Sequence, residues 1–182
     1  CSGEALQGQV RISRRKSFFY LDTDLATDNA HLEQLINAVR SGSADIATGS
    51  RWFPGTQTKR PSLRSIFSKG FNTRVSLLLK SKLYDHQCGF KAFNKKIFFK
   101  LSPSLKDTHW FWDTEILVKA QKSNFNVFEF PVSWTAQKDT KVDIIRDVFA
   151  MAINILRLWI EFYISPHITP AKSSIFGFSI SL

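Results

Sequence analysis

The spacing of hydrophobic positions changes several times along the chain, and each change marks an element. Phe18-Phe19-Tyr20-Leu21 is a short continuous apolar run of buried-strand type, ended by the acidic triplet Asp22-Thr23-Asp24. Leu32, Leu35, Ile36 and Val39 then recur at i, i+3, i+4 and i+7 behind the capping candidates Thr27 and Asp28. That pattern predicts an amphipathic helix over 29–40, stopped by Ser41-Gly42-Ser43. Asp45 to Thr48 reads as the next strand. Strand, helix and strand with short connections predict an α/β layered domain. Upstream, Gly3 to Ile12 has modest helical character and leads into the basic cluster Arg14-Arg15-Lys16. Downstream, Gly49 to Ser62 carries two prolines and reads as a loop. Helices are predicted at 63–80, 94–101 and 113–122, and a Phe-rich strand at 125–130 before Pro131. There is no internal repeat and no low-complexity linker.

The region 143–164 has a different pattern. Asp143, Arg146, Asp147, Asn154, Arg157 and Glu161 fall on one side of a helix, and large apolar residues fill the remainder. Charges within 147–161 leave no apolar stretch near the roughly 20 residues that span a bilayer. A helix lying in the membrane interface, with Trp159 and Tyr163 near headgroup level, fits this pattern. So does a helix packed on the domain or on another subunit. The chain thus divides into a body (1–142), an amphipathic, interface-type helix (143–165) and a tail (166–182) whose composition supports no assignment.

Composition narrows the partners. In 182 residues, 43% hydrophobic content with 17 Phe and 5 Trp is ample for one packed domain plus appendages. A formal charge of +10 implies an anionic partner: nucleic acid, an acidic membrane surface or a phosphorylated substrate. The basic residues are dispersed and no helix-turn-helix, zinc or RNA-sheet signature occurs, which argues against nucleic acid. Cys1 and Cys88 give neither metal spacing nor a disulfide framework, so a reducing, cytosol-facing location is the default. Cys88 reads as a small buried thiol rather than a nucleophile.

Two carboxylates one residue apart at a strand end, Asp22 and Asp24, can converge on a hard divalent cation that bridges substrate phosphates, although a solvated turn has the same spacing. Arg64, Ser68 and Asn72 are spaced i, i+4, i+8 and share a helix face. Such a face can hold a phosphate through the Arg64 fork and the Ser68 hydroxyl, or it can be an ordinary polar surface. Asp113 and Glu115 lie in the first turn of a predicted helix, where acidic groups complement the dipole.

Five ordered blocks go beyond these local readings: Phe19-Tyr20-Leu21-Asp22-Thr23-Asp24-Leu25-Ala26-Thr27, Thr48-Gly49-Ser50-Arg51, Asp85-His86-Gln87-Cys88-Gly89-Phe90-Lys91-Ala92-Phe93, Trp112-Asp113-Thr114-Glu115 and Pro131-Val132-Ser133-Trp134. Over about 1–147 the chain resembles family 2 glycosyltransferases, especially dolichyl-phosphate glucosyltransferases and related polyprenyl-phosphate hexosyltransferases. The resemblance implies a GT-A-type, Rossmann-like mixed sheet flanked by helices. It implies that Asp22 and Asp24 bind Mg²⁺ or Mn²⁺ with the donor diphosphate. Arg51, Arg64 and Ser68 are similar to phosphate-handling positions, and Asp85, Gln87 and Lys91 to an acceptor-side loop. Thr140-Lys141-Val142 resembles a Ser-Lys-Val segment near the phosphates, making Lys141 a candidate anion contact with Thr in place of Ser. Asp113 or Glu115 is a candidate contact to donor sugar or acceptor.

The activity implied is inverting transfer of a hexose from a nucleotide-sugar, UDP-glucose favoured, to a polyprenyl or dolichyl phosphate, peripherally at the cytoplasmic face of a membrane. GDP-mannose as donor, another lipid or polysaccharide acceptor, and a non-catalytic membrane-associated fragment are the alternatives. Family members also carry an opening strand with an Asn-Glu block and an Asp-Asp-Gly-Ser turn that hold the donor's base and ribose. None of these occurs in the 182 residues, and Gly3, Ala5 and Leu6 stand where the family has a Gly-x-Ala-Leu helix. The expectation is an N-terminally truncated product with an exposed sheet edge and little transfer activity by itself.

Overall fold

The computed structural model describes residues 11–12, 17–21, 29–54, 56, 58–59, 62–107, 111–135 and 144–165. Among the described residues five strands form one sheet: β1 (Arg11–Ile12), β2 (Ser17–Leu21), β3 (Ile46–Ser50), β5 (Phe90–Asn94) and β6 (Val127–Pro131), in spatial order β1-β2-β5-β3-β6. β5 runs antiparallel to both neighbours, pairing Leu21 with Phe90 and Thr48 with Lys91, while β6 lies parallel to β3. Two further short strands, β4 (Thr58–Lys59) and β7 (Trp134–Thr135), pair in parallel as a separate ribbon. The predicted mixed α/β, GT-A-type sheet flanked by helices is what forms.

Alternation along the strands sorts the core into two layers. Ala47, Phe90, Ala92 and Phe130 pack with Leu35, Ala38 and Val39 of α1 (Leu32–Arg40). Ile46 and Phe93 point the other way, onto Trp112, Ile116, Leu117 and Ala120 of α4 (Trp112–Lys122) and Leu101 of α3 (Lys95–Leu101). Asn94 caps α3, its side chain accepting from the Lys96 amide at 3.0 Å. A third cluster joins Phe71, Val75 and Leu79 of α2 (Ser62–Leu79) to Phe111, Val118 and the inner face of α5 (Ile144–Tyr163).

The helices fall close to their predicted bounds, but four local expectations are corrected. Arg11–Ile12 are strand, not helix, because they pair with Phe18 and Phe19 and so cover part of that β2 edge. The stretch 49–62 is not all loop, since β3 continues to Ser50 and β4 finds a partner in β7. The strand predicted at 125–130 starts at Val127 and includes Pro131, which sits opposite Ser50 at the strand end. Finally, Phe90-Lys91 belong to a central strand rather than a loop. Among the described residues no helix is long and apolar enough to cross a membrane.

Candidate active site

β2 and β3 run in the same direction with the reversed β5 between them. Their carboxyl ends therefore share one sheet edge with the start of β5. β2 reaches that edge at Leu21, the residue before Asp22, and β3 delivers Ser50 and Arg51 to it. Open α/β sheets bind ligands at such an edge.

Arg51 and Asp85 meet there as a buried fork. Arg51 Nε donates to Asp85 Oδ2 at 2.6 Å and Nη2 to Oδ1 at 2.8 Å, and the Arg51 amide adds a third bond at 3.0 Å. The Gln87 amide donates to Oδ1 at 3.1 Å. Burial pushes the Asp85 carboxyl up, but the Arg51 guanidinium and these donors outweigh it and hold the group at about 2. This arrangement fixes where the 48–51 and 85–88 segments stand relative to each other. Glu129 on β6 supports it from behind, accepting from the amides of Tyr84 and Asp85 at 2.8 to 3.0 Å. Its role was not foreseen from the sequence; an acidic residue alternating with two phenylalanines in a strand was the available signal.

His86, also unassigned from sequence, links this segment to α2. Asn72 donates from Nδ2 to the Ser68 carbonyl at 3.0 Å, which orients its amide, and its Oδ1 accepts from the His86 amide at 2.9 Å. The His86 Nδ1 at 2.8 Å from that same oxygen must therefore carry the proton, leaving Nε2 to face the Ser81 hydroxyl at 2.7 Å. Burial lowers the imidazole to about 4, so it is neutral at physiological pH. Ser68 receives the Trp52 indole N–H at 3.4 Å, and Lys69 sits 4.9 Å over the Trp52 ring. An open groove of roughly 800 Å³ begins beside these residues, between α2 and the 81–84 segment.

Lys91 is fully buried on β5, with Nζ donating to the Cys88 carbonyl and lying 2.8 Å from Asp113 Oδ1 in the first turn of α4. A buried lysine of this kind persists only because charge and carbonyl compensate its desolvation. Cys88 beside it is pushed up to about 12, chiefly by burial and secondarily by Asp85. That thiol is inert at neutral pH, as its sequence context suggested.

Glu115 is further from this edge in its contacts. It accepts from the amides of Lys106 and Asp107 at 3.1 and 2.9 Å and from Arg157 Nη2 of α5 at 3.0 Å. Lys119 Nζ approaches its other oxygen to 3.0 Å as a charge contact, while donating to the Ser104 carbonyl. Arg51, Asp85 and Gln87 are thus brought together, Lys91 and Asp113 form a second pair, and Ser68 stands on the adjoining helix. Asp22, Asp24 and Lys141 lie outside the described residues, as does the side chain of Arg64. Among the described residues no group of three or more His, Cys, Asp or Glu could hold a metal ion. The Asp22/Asp24 pair supplies the hard oxygen donors that Mg²⁺ or Mn²⁺ takes.

Comparison with known proteins extends these observations. The profile of the family described as "Glycosyl transferase family 2" matches residues 2–101. The chain is similar to the glycosyltransferase AglD of Haloferax volcanii, with 47% identity over 180 residues, covering 99% of this chain and 29% of that protein. It is 32% identical over 162 residues to a dolichyl-phosphate β-glucosyltransferase of Dictyostelium discoideum, covering 86% of this chain and 50% of the relative. A polyprenol monophosphomannose synthase of Mycolicibacterium smegmatis is 29% identical over 120 residues, 65% of this chain and 45% of the relative. The chain therefore spans half or less of the length of each of these three relatives.

Proposed function

Because the chain belongs to glycosyl transferase family 2, we propose that it contributes the acceptor side of an inverting transferase that moves a hexose, glucose from UDP-glucose in the favoured case, onto a polyprenyl or dolichyl phosphate at the cytoplasmic face of a membrane. One observation carries the reading: two of the resemblance blocks, 48–51 and 85–93, are fastened together at the ligand edge of the sheet by the Arg51–Asp85 fork. The names of the dolichyl-phosphate β-glucosyltransferase relatives support glucose and a dolichyl-type acceptor.

The chemistry asks little of a general base. A phosphate monoester, with a second pKa of about 6, is already largely dianionic at neutral pH. Its oxygen attacks the anomeric carbon as the bond to the nucleoside diphosphate breaks, inverting that centre. The obstacle is the approach of one anion to another, and cationic groups lower it. In this reading Arg64, Ser68, Gln87 and Lys141 receive the phosphates. Arg51 and Asp85 hold the 85–88 segment in place, and the Lys91–Asp113 pair fixes the floor between the β2 and β3 ends. Asp22 and Asp24 would hold Mg²⁺ or Mn²⁺, which when bound offsets charge on the departing diphosphate. The Asn-Glu and Asp-Asp-Gly-Ser blocks are absent from these 182 residues, which supports low turnover by the chain alone.

The test uses a chimera in which the nucleotide-holding segment of a family member precedes residue 1, supplied with dolichyl phosphate and either UDP-glucose or GDP-mannose. Metal-dependent glucosyl transfer is expected, abolished by Asp22→Asn. Mannosyl transfer instead would favour the donor suggested by the polyprenol monophosphomannose synthase relative. Transfer from neither donor, with the fold intact, refutes the proposal.

A further inference from the structure

α5 differs from a helix that merely covers a domain in where its charges lie and in carrying a second, exposed apolar row. Such a helix turns its apolar stripe inward and its charges to water. Here Asn154, Arg157 and Glu161 face the body of the protein: Asn154 donates to Asp107 at 3.0 Å, Arg157 to Glu115 at 3.0 Å, and Glu161 lies 2.9 Å from Lys106 and 3.1 Å from Lys119. Ile155 and Leu158, with the partly buried Met151, Trp159 and Phe162, form an inner apolar stripe against α2 and α4. The outward side is left with Phe149 at 70% exposure, Ile153 at 64%, Leu156 at 54%, Ile160 at 40% and, just past the helix, Ile164 at 61%. Their spacing of four, three, four and four residues places them in one row. A continuous apolar row of this size is uncommon on a free soluble surface.

Its surroundings indicate what covers it. Lys122 donates to the Tyr163 hydroxyl at 2.8 Å, and Lys80 lies 5.5 Å over the same ring, so two ammonium groups flank the carboxyl end of the row. Positive charge beside an apolar ridge complements an anionic bilayer interface, where Tyr and Lys take headgroup positions. A second copy would bring another chain of +10 charge against it.

We propose that the row Phe149, Ile153, Leu156, Ile160 and Ile164 is a docking ridge for an anionic lipid bilayer, and that the ion pairs centred on Glu115 key the rotation of α5 so that the row faces outward. Buried ion pairs add little net stability compared with apolar packing, but they can specify one orientation among several. The inner apolar stripe already turns one face of the helix to the body, and the ion pairs beside it fix the rotation that leaves the second apolar row outside. Glu115, Arg157 and Glu161 are positioning residues in this scheme. The inference deepens the proposed function, which requires a lipid-borne acceptor, by naming the surface that meets the lipid.

The experiment measures co-sedimentation of the 182-residue chain with phosphatidylcholine vesicles, with or without phosphatidylglycerol, in the absence of polyprenyl phosphate and nucleotide-sugar. Binding to the phosphatidylglycerol vesicles is expected, weakened by salt and unaccompanied by a gain in helicity, because the ridge is preformed. Ile153→Ser with Leu156→Ser should weaken partitioning at least ~10-fold at unchanged Tm. Arg157→Met with Glu161→Met should also weaken it while helicity is kept; stronger binding, as added apolar surface alone would give, overturns the keying. Equal binding by the parent and the serine variant overturns the ridge, as does failure of the parent to bind either vesicle. A dimer of the parent dissolved by the serine substitutions would assign the row to self-association instead. Transfer by the chimera to a short-chain, water-soluble acceptor is measured separately, so the proposed function can fail or stand without the vesicles.

Discussion

Replacing Asp85 by Asn tests the fork on which the site is built. The substitution keeps an oxygen for only one of the two backbone amides, Arg51 on Oδ2 or Gln87 on Oδ1, and removes the charge opposite a guanidinium that is itself buried. The folded carboxyl at about 2, against an ordinary 3.8, corresponds to ~2 kcal/mol of stability. Leaving Arg51 uncompensated raises the loss to ~3–5 kcal/mol, a large part of the ~5–15 kcal/mol typical of a domain. The sign with pH follows from the lowered folded value: the contribution is complete above about pH 4 and disappears as pH falls towards 2. Urea unfolding followed by tryptophan fluorescence measures the loss for Asp85→Asn, Arg51→Met and the pair together. A coupling of at least ~1.5 kcal/mol is expected between the two sites. If Asp85→Asn costs under ~1 kcal/mol, or the two losses simply add, the fork does not organise this edge.

Three further outcomes follow from other residues. The His86 imidazole, lowered to about 4, should stay neutral in NMR titration until the protein approaches that pH; its stability contribution, full above about 6.5 and lost as pH falls to 4, should appear as acid sensitivity that His86→Gln reduces. Titration near 6.5 in the folded protein would contradict the burial of this ring. Cys88 should resist iodoacetamide at neutral pH and alkylate only on unfolding, as peptide mapping would show; labelling of native protein at Cys88 would place the thiol in an open environment. Gly49→Ala should cost ~1–3 kcal/mol, because its Cβ would stand 2.7 Å from Val132 Cγ1 and 3.3 Å from the Phe90 ring, and Val132→Ala should recover part of that loss; a neutral Gly49→Ala would show that β3 and its neighbours yield easily.

What the sequence made legible was periodic. Of Leu32, Leu35, Ile36 and Val39, Leu35 and Val39 are buried on the inner face of α1 with Leu32 packed beside them, and α2 and α4 begin and end within a residue of expectation, because 3.6-residue periodicity survives whatever the partner is. β5 escaped because Lys91 interrupts its apolar run, and a lysine at a core position looks like solvent until Asp113 and the Cys88 carbonyl are found beside it. The face of α5 was misleading for a related reason. Its charges are visible in the sequence, but their partners Glu115, Asp107, Lys106 and Lys119 lie 42 to 55 residues away along the chain, which leaves the direction of that face open. Arg51 and Asp85 were each singled out, yet not as each other's partner, being 34 residues apart.

The spatial order of the strands also constrains how the chain reaches this state. Past the β1–β2 pair, every neighbour in the sheet is distant in sequence: β2 waits for β5, and β3 for both β5 and β6. Topologies of this kind close large loops before any contact rewards them, so they fold slowly. During synthesis the Phe18-Phe19-Tyr20-Leu21 segment emerges long before the strand that shields it. Recovery of soluble protein should therefore depend on translation rate and chaperone supply more than on final stability, and slower expression at low temperature should raise yield without any change in Tm.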